Sequence, residues 1–127
     1  VLSEQRETLN IIMVDDDEEN LIAMGTLLKK WGVHHRAFSN VASCLNHAKQ
    51  SGAPDVILMD YQLTEQCDGI TLIKTLREIW QKSVPAILIT AVRDQALKEQ
   101  LKAQNIHYLS KPIKPAKLKA LLNHNSR

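Results

Sequence analysis

The feature that most constrains this chain is a set of three short apolar runs, each ending at a polar residue able to do chemistry. Ile11-Ile12-Met13-Val14 leads into Asp15, Val56-Ile57-Leu58-Met59 into Asp60, and Ala86-Ile87-Leu88-Ile89 into Thr90. Runs of this kind, rich in β-branched residues and without polar alternation, suit strands covered on both faces, as in a parallel sheet between helix layers. Helical patterns separate them. Leu21, Met24, Leu28 and Trp31 recur at helical spacing, and Gly32 follows where a helix C-cap favours positive φ. Leu72, Ile73, Leu76, Ile79 and Trp80 repeat the pattern before Pro85. Val41, Leu45 and Ala48 mark a weaker helix closed by Ser51-Gly52-Ala53-Pro54. Leu97 and Leu101 mark another, and Leu118, Leu121 and Leu122 a last one entered through Pro115.

Two more strand candidates, His35-Arg36-Ala37-Phe38 and Ile106-His107-Tyr108-Leu109, are more polar. With five βα units, the polar strands are then the second and fifth. A doubly wound parallel sheet in the order 2-1-3-4-5 puts those two at its edges and the apolar three inside, so the polarity pattern selects that order, with right-handed crossovers.

The 127 residues, 44% hydrophobic, can bury one core of ordinary size. Sixteen basic against 14 acidic residues leave a net charge of +2, and no recognition module or basic-aromatic interleaving is present, so nucleic-acid binding is not expected. No run approaches the roughly 20 apolar residues of a membrane span, and the polar start is not a signal peptide, so no direct membrane contact is expected. Cys44 and Cys67 lack metal-ligand spacing and read as free thiols of a cytoplasmic protein. Val1 in place of an initiator Met points to a piece cut from a longer chain.

In an open α/β sheet, ligands bind beyond the carboxyl ends of the strands, where strand order reverses. In the order above, Asp15 and Asp16 follow strand 1, Asp60 strand 3, Thr90 strand 4 and Lys111 strand 5. Three carboxylates, a hydroxyl and an ammonium therefore meet on one rim. Carboxylates so crowded repel one another unless a cation intervenes. Mg2+ takes oxygen ligands, keeps waters and leaves room for a phosphate oxygen. Asp60 could then serve as a nucleophile carrying an acyl phosphate, with Lys111 and Thr90 stabilising the transferring phosphoryl oxygens. The acidic residues Asp17, Glu18 and Glu19 read instead as a solvated helix start.

Val14-Asp15-Asp16-Asp17, Leu58-Met59-Asp60, Leu88-Ile89-Thr90-Ala91 and Ser110-Lys111-Pro112-Ile113, in this order and spacing, make the chain resemble the receiver domain of two-component response regulators and hybrid sensor kinases. The resemblance covers about residues 9 to 124, leaving 1 to 8 as a linker remnant and 125 to 127 as a tail. It implies a flavodoxin-like α/β fold, doubly wound (βα)5. It implies Asp60 as phosphoacceptor, Mg2+ on Asp16, Asp60 and the backbone carbonyl of Gln62 with Asp15 acting through water, and Thr90 and Lys111 on the phosphoryl group. It further implies a cis Lys111-Pro112 bond and Tyr108 as a switch residue that turns inward when Thr90 moves. Gln62 and Val92, two residues after Asp60 and Thr90, flank the path of a hydrolytic water and are expected to tune phosphate lifetime.

The partner implied is a histidine kinase or histidine phosphotransfer domain, and the moving region is about residues 90 to 113. Seven of the basic residues lie from Lys98 onward, mostly a solvated face, and a homodimer through the last helices and strands is also expected. Members of the family often carry Pro four residues after the phosphoacceptor and Asp-Gly seven and eight after it. Here position 64 is Thr, and Asp68-Gly69 comes one residue late, which lengthens the loop from Tyr61 to Cys67. That wording looks more like receivers of hybrid histidine kinases. Two other functions compete: a pseudo-receiver binding module without phosphorylation, opposed by retention of all five site residues, and a Mg2+-dependent hydrolase. The hydrolase would need an acid/base carboxylate where Gln62 stands. No independent enzyme is expected.

Overall fold

A computed structural model describes residues 9 to 63 and 67 to 124. The proposed linker remnant, the tail and the loop positions 64 to 66 lie outside the described residues. Ten elements alternate: β1 (Asn10–Val14), α1 (Glu18–Lys30), β2 (His34–Phe38), α2 (Val41–Gln50), β3 (Val56–Asp60), α3 (Gly69–Trp80), β4 (Ala86–Thr90), α4 (Gln95–Ala103), β5 (Ile106–Ser110) and α5 (Pro115–His124). The five strands form one parallel sheet in the order β2-β1-β3-β4-β5. Edge and central strands differ in burial as their polarity leads one to expect: every residue of β3 and β4 is buried, whereas β2 has none fully buried.

Alternation along each strand divides the core in two. Ile12, Val14, Ile57, Met59, Leu88 and Ile106 face a layer containing Cys44 and Ala48 of α2, Leu72, Ile73 and Leu76 of α3, and Leu97 and Leu101 of α4. Ile11, Met13, Leu58, Ile87, Ile89 and Leu109 face Leu28 of α1 and Leu118 and Leu122 of α5. Central strands thus need apolar residues at every position. Two helix layers hold the sheet rigidly, and its exit rim is left to the loops.

Local chemistry ends the helices where the sequence places breaks. At the end of α1, the amide of Gly32, at φ +75°, donates to Lys29 O at 3.0 Å and that of Val33 to Leu28 O at 2.9 Å. This double closure satisfies the last carbonyls and turns the chain into β2. Trp80, at the end of α3, donates its indole N–H to the carbonyls of Ala48 and Ser51, which fastens α3 to the end of α2.

Gly69 opens α3 directly under the rim. Its amide donates to Tyr61 O at 2.7 Å, and a β-carbon there would collide with the Asp60 carbonyl oxygen and press on Leu88 and Met59. The absent side chain lets α3 approach the end of β3. Gly69→Ala is expected to destabilise the fold by about 1–3 kcal/mol through overpacking against backbone. Urea unfolding measures this, and a loss below about 0.5 kcal/mol would contradict the close approach.

Candidate functional site

Parallel pairing sets Val14 beside Met59 and Asp60 beside Ile89, so the residues that leave β1, β3 and β4 share one rim. Asp15 follows β1 and is anchored by its own amide to Phe38 O at 3.1 Å. Its carboxylate accepts the Asp17 amide on Oδ1 at 2.9 Å and the Asn20 side-chain amide on Oδ2 at 3.3 Å. Asp17 is the N-cap of α1, accepting from the amides of Glu19 and Asn20. The acidic run is thereby divided: Asp17, Glu18 and Glu19 serve the helix start. Asp15 and Asp16 join Asp60, and the three offer carboxylate oxygens all within 4.8 Å of one another.

Asp60 is 5% exposed, and its Oδ1 lies 2.8 Å from Lys111 Nζ. Lys111 is delivered by the turn after β5, where its amide donates to Thr90 O at 2.9 Å and the Lys111-Pro112 peptide is cis. Thr90 is buried, with its Oγ1 accepting the Val92 amide at 3.0 Å. The Tyr108 hydroxyl, from β5, donates to the Val92 carbonyl at 2.7 Å, and Lys98 of α4 sits 5.3 Å from the centre of the Tyr108 ring. Gln62 pairs with Asp68 in a short antiparallel bridge beyond β3. Gln62 lines the acidic crevice, and with Thr90, Val92 and Lys111 it also lines a recess on the other side of Asp60. Asp15, Asp16, Asp60, Gln62, Thr90, Val92 and Lys111 thus line this rim, and Tyr108 is one contact from it.

Electrostatically the site is over-supplied with carboxylate. Burial pushes the Asp60 carboxyl above its ordinary range, and Asp16 and Asp17 push the same way, while Lys111 opposes them. Burial likewise raises Asp15, aided by Asp60 and opposed by the Asp17 amide, Asn20 and Lys111. An isolated ion pair would depress its carboxylate; here burial and excess negative charge prevail. Burial alone would lower Lys111, but its contacts with Asp60, Asp15 and Asp16 outweigh it and hold the ammonium above its usual value. Three carboxylates face one ammonium. A hard divalent cation fits such an all-oxygen donor set and relieves the repulsion within it.

Three contributors escape a reading by motif. Asn20 reaches Asp15 because three residues after an N-cap lie above the first helical turn, a signal present once Asp17 is identified as the cap. The double use of the Val92 main chain, its N–H donating to Thr90 and its carbonyl accepting from Tyr108, has no side-chain signature. Gly69 looks like part of an ordinary Asp-Gly turn until α3 is packed under Asp60.

Comparison with known proteins places these features in a family. The family profile described as "Response regulator receiver domain" matches residues 11–123. Signal transduction histidine-protein kinase BarA of Escherichia coli is 32% identical over 124 residues, covering 96% of this chain and 13% of that protein. Hybrid signal transduction histidine kinase G of Dictyostelium discoideum is 31% identical over 123 residues, covering 92% of this chain and 4% of that protein. The chain thus spans a small fraction of these relatives. Among solved structures, the receiver domain of a Pseudomonas aeruginosa sensor histidine kinase, described with a magnesium ion coordinated in the active site cleft, matches at TM-score 0.78 and 26% identity, covering 94% of this chain and 98% of that one. A Francisella response regulator receiver domain shares the fold at TM-score 0.82 and 22% identity, covering 94% and 97%. Among the described residues no helix is long and apolar enough to cross a membrane.

The raised carboxyl of Asp15 carries a pH consequence. Its ionisation works against folding, so stability linked to it is complete below the ordinary carboxylate pKa of about 4 and is lost as pH rises through the raised value. Asp15→Asn should therefore raise the Tm of metal-free protein at about pH 7.5, with the gain shrinking toward zero below about pH 4. Thermal melts across this range test it; a gain that grows with acidity would contradict the assignment.

Proposed function

Because the chain belongs to the response regulator receiver domain family, we propose that it accepts a phosphoryl group from a partner phosphohistidine onto Asp60, with Mg2+, and so switches a partner-binding surface. The observation that carries this reading is the buried Asp60 carboxylate, paired at 2.8 Å with Lys111 inside a cluster of three carboxylates.

The chemistry asks little of the protein beyond positioning and charge. A carboxylate oxygen of Asp60 attacks phosphorus in line with the phosphorus–nitrogen bond, which breaks and returns its electron pair to the imidazole of the donor. The nucleophile is already ionised, so no general base is needed. Lys111, tethered by its own amide to Thr90 O, stays within reach of the phosphoryl oxygens as charge moves onto them. Thr90 Oγ1 accepts a hydrogen bond in the unloaded site and so keeps its own proton to donate. Asp15, Asp16, Asp60 and the Gln62 carbonyl would hold Mg2+, which supplies positive charge to the carboxylate and phosphoryl oxygens.

Transmission runs through residues 90 to 113. If Thr90 turns to a phosphoryl oxygen, its hold on the Val92 amide ends, and the Val92 carbonyl is where Tyr108 is attached. The partner is a histidine kinase or a histidine phosphotransfer domain. The half-buried Leu21, Met24 and Ile113, which line a cavity with Asp60, give an approaching partner apolar footing beside it. A hybrid histidine kinase is the parent chain that fits the likeness to BarA and to histidine kinase G, with this domain occupying residues 9 to 124 of the sequence.

Incubation with acetyl phosphate followed by intact mass spectrometry tests the proposal. A single phosphoryl adduct is expected in Mg2+, with none in a chelator and none on Asp60→Asn; an adduct that persists on Asp60→Asn would overturn it. Exchange of Gln62 and Val92 together is expected to change the lifetime of that adduct about tenfold, a barrier change of roughly 1.4 kcal/mol. An unchanged decay rate would remove both residues from the path of the hydrolytic water.

A further inference from the structure

Arg77 makes three hydrogen bonds that the phosphoacceptor site does not use. It lies in the last turn of α3, at the end of the sheet opposite the acidic rim. Its Nε donates to Val84 O at 2.9 Å, its Nη1 to Gln104 O at 2.8 Å and its Nη2 to Asn105 O at 3.1 Å. Val84 leads into β4, Gln104 is the C-cap of α4, and Asn105, at φ +58°, is the turn into β5. All the partners are main-chain carbonyls, and burial pushes the guanidinium below its usual value. A cation in that position is there for geometry: the planar fork reaches separate carbonyls at once, which the point charge of a lysine does not. It also answers the negative end of the α4 dipole.

The two ends of α4 are therefore held differently. At its far end, carbonyls of the C-cap and of the turn are fastened to α3 and, through Val84, to the entry of β4. At its near end, Asp94 caps the helix from within, accepting the Ala96 amide at 2.9 Å. Val92, just before that cap, is attached to the rim by its bonds to Thr90 and Tyr108. One of the two near attachments, the bond to Thr90, depends on a hydroxyl that a phosphoryl group on Asp60 would recruit. The far attachment does not.

We infer that Arg77 is a positioning residue that pins the C-terminal end of α4, so that signalling swings the N-terminal end of the helix about a fixed pivot. The inference rests on the phosphoacceptor reading. Leu97 and Leu101, both buried, lie one turn apart on the face that packs on the sheet, with Leu101 beside the pivot and Leu97 nearer the release point. Motion should accordingly grow along the helix from Gln104 toward Val92.

Hydrogen–deuterium exchange with and without acetyl phosphate and Mg2+ tests this, with adduct formation read from the intact mass of the same samples. In the native chain, loading should change exchange over residues 91 to 98 about fivefold or more, while residues 101 to 105 change less than about twofold. Arg77→Lys keeps the charge but loses the fork, so unloaded exchange at 101 to 105 should rise about fivefold, and the response to loading should spread into that segment. Arg77→Ala should do the same more strongly; Arg77→Lys carries the test if the alanine variant does not fold. Adduct yield should stay within about twofold of native in both folded variants, because neither change touches the rim. An adduct with a uniform response from 91 to 105 in the native chain, or confinement that survives Arg77→Lys, overturns the pivot alone. Absence of any adduct overturns the phosphoacceptor reading and the pivot with it.

Discussion

The contact between Lys111 and Asp60 is the constraint on which the rest of the structure depends. It joins the end of β3 to the turn after β5, passing the end of β4, and it sits where a carboxylate is almost wholly removed from water. Burying an ionised carboxylate without a partner is prohibitive. With β5 ending beside Thr90, the ammonium of Lys111 returns to the end of β3 and supplies that partner. The parallel order β2-β1-β3-β4-β5 satisfies this and at the same time sets β1, with Asp15 and Asp16, on the other flank of β3. One ammonium against three carboxylates leaves the rim short of positive charge, a balance that a divalent cation would redress.

The two layers of helices have different tasks in this arrangement. α1 and α5 cover one face; α1 also supplies the Asp17 cap and the Asn20 contact that orient Asp15. α2, α3 and α4 cover the other, where Gly69 brings α3 close under Asp60 and Arg77 ties the far end of α4 to α3. After the fully buried β4 the chain emerges into the exposed or half-buried positions 91 to 96. There the main chain of Val92 binds the hydroxyl at the site through its N–H and the hydroxyl at the edge strand through its carbonyl, a short connection between Thr90 and Tyr108.

Much of this was legible in the residues because the physics is local. Four apolar residues in a row before Asp15, Asp60 and Thr90 signal covered strands, while His35-Arg36 and His107-Tyr108 signal edges, and strand order follows from that contrast. Strand order then converts distant residues into neighbours. What stayed hidden depends on atoms that carry no pattern. Arg77 reads as one more charge on an amphipathic helix, and its carbonyl partners at 84, 104 and 105 exist only once α3, β4 and α4 are packed. Val92 was visible as a position beside the site, but the hydrogen bonds of its main-chain N–H and carbonyl have no side-chain signal. Asn20 looks like one more polar residue beside an acidic run until Asp17 is seen to cap α1 and turn it toward Asp15. The late Asp68-Gly69 pair showed that the loop after Asp60 is longer than usual, but not that Gln62 and Asp68 bridge across it.

The central claim is that Asp60, and no other group on the rim, takes the phosphoryl group. Borohydride reduces an acyl phosphate to the alcohol and leaves free carboxylates untouched, so it converts a phosphorylated aspartate to homoserine at the position that carried the group. Treatment of the protein with acetyl phosphate, Mg2+ and then borohydride, followed by peptide mass mapping, reads that position directly. Homoserine is expected at position 60 alone, with Asp15 and Asp16 unmodified. Homoserine at position 15 or 16, or a phosphoryl group that survives on Thr90 while position 60 remains aspartate, would contradict it.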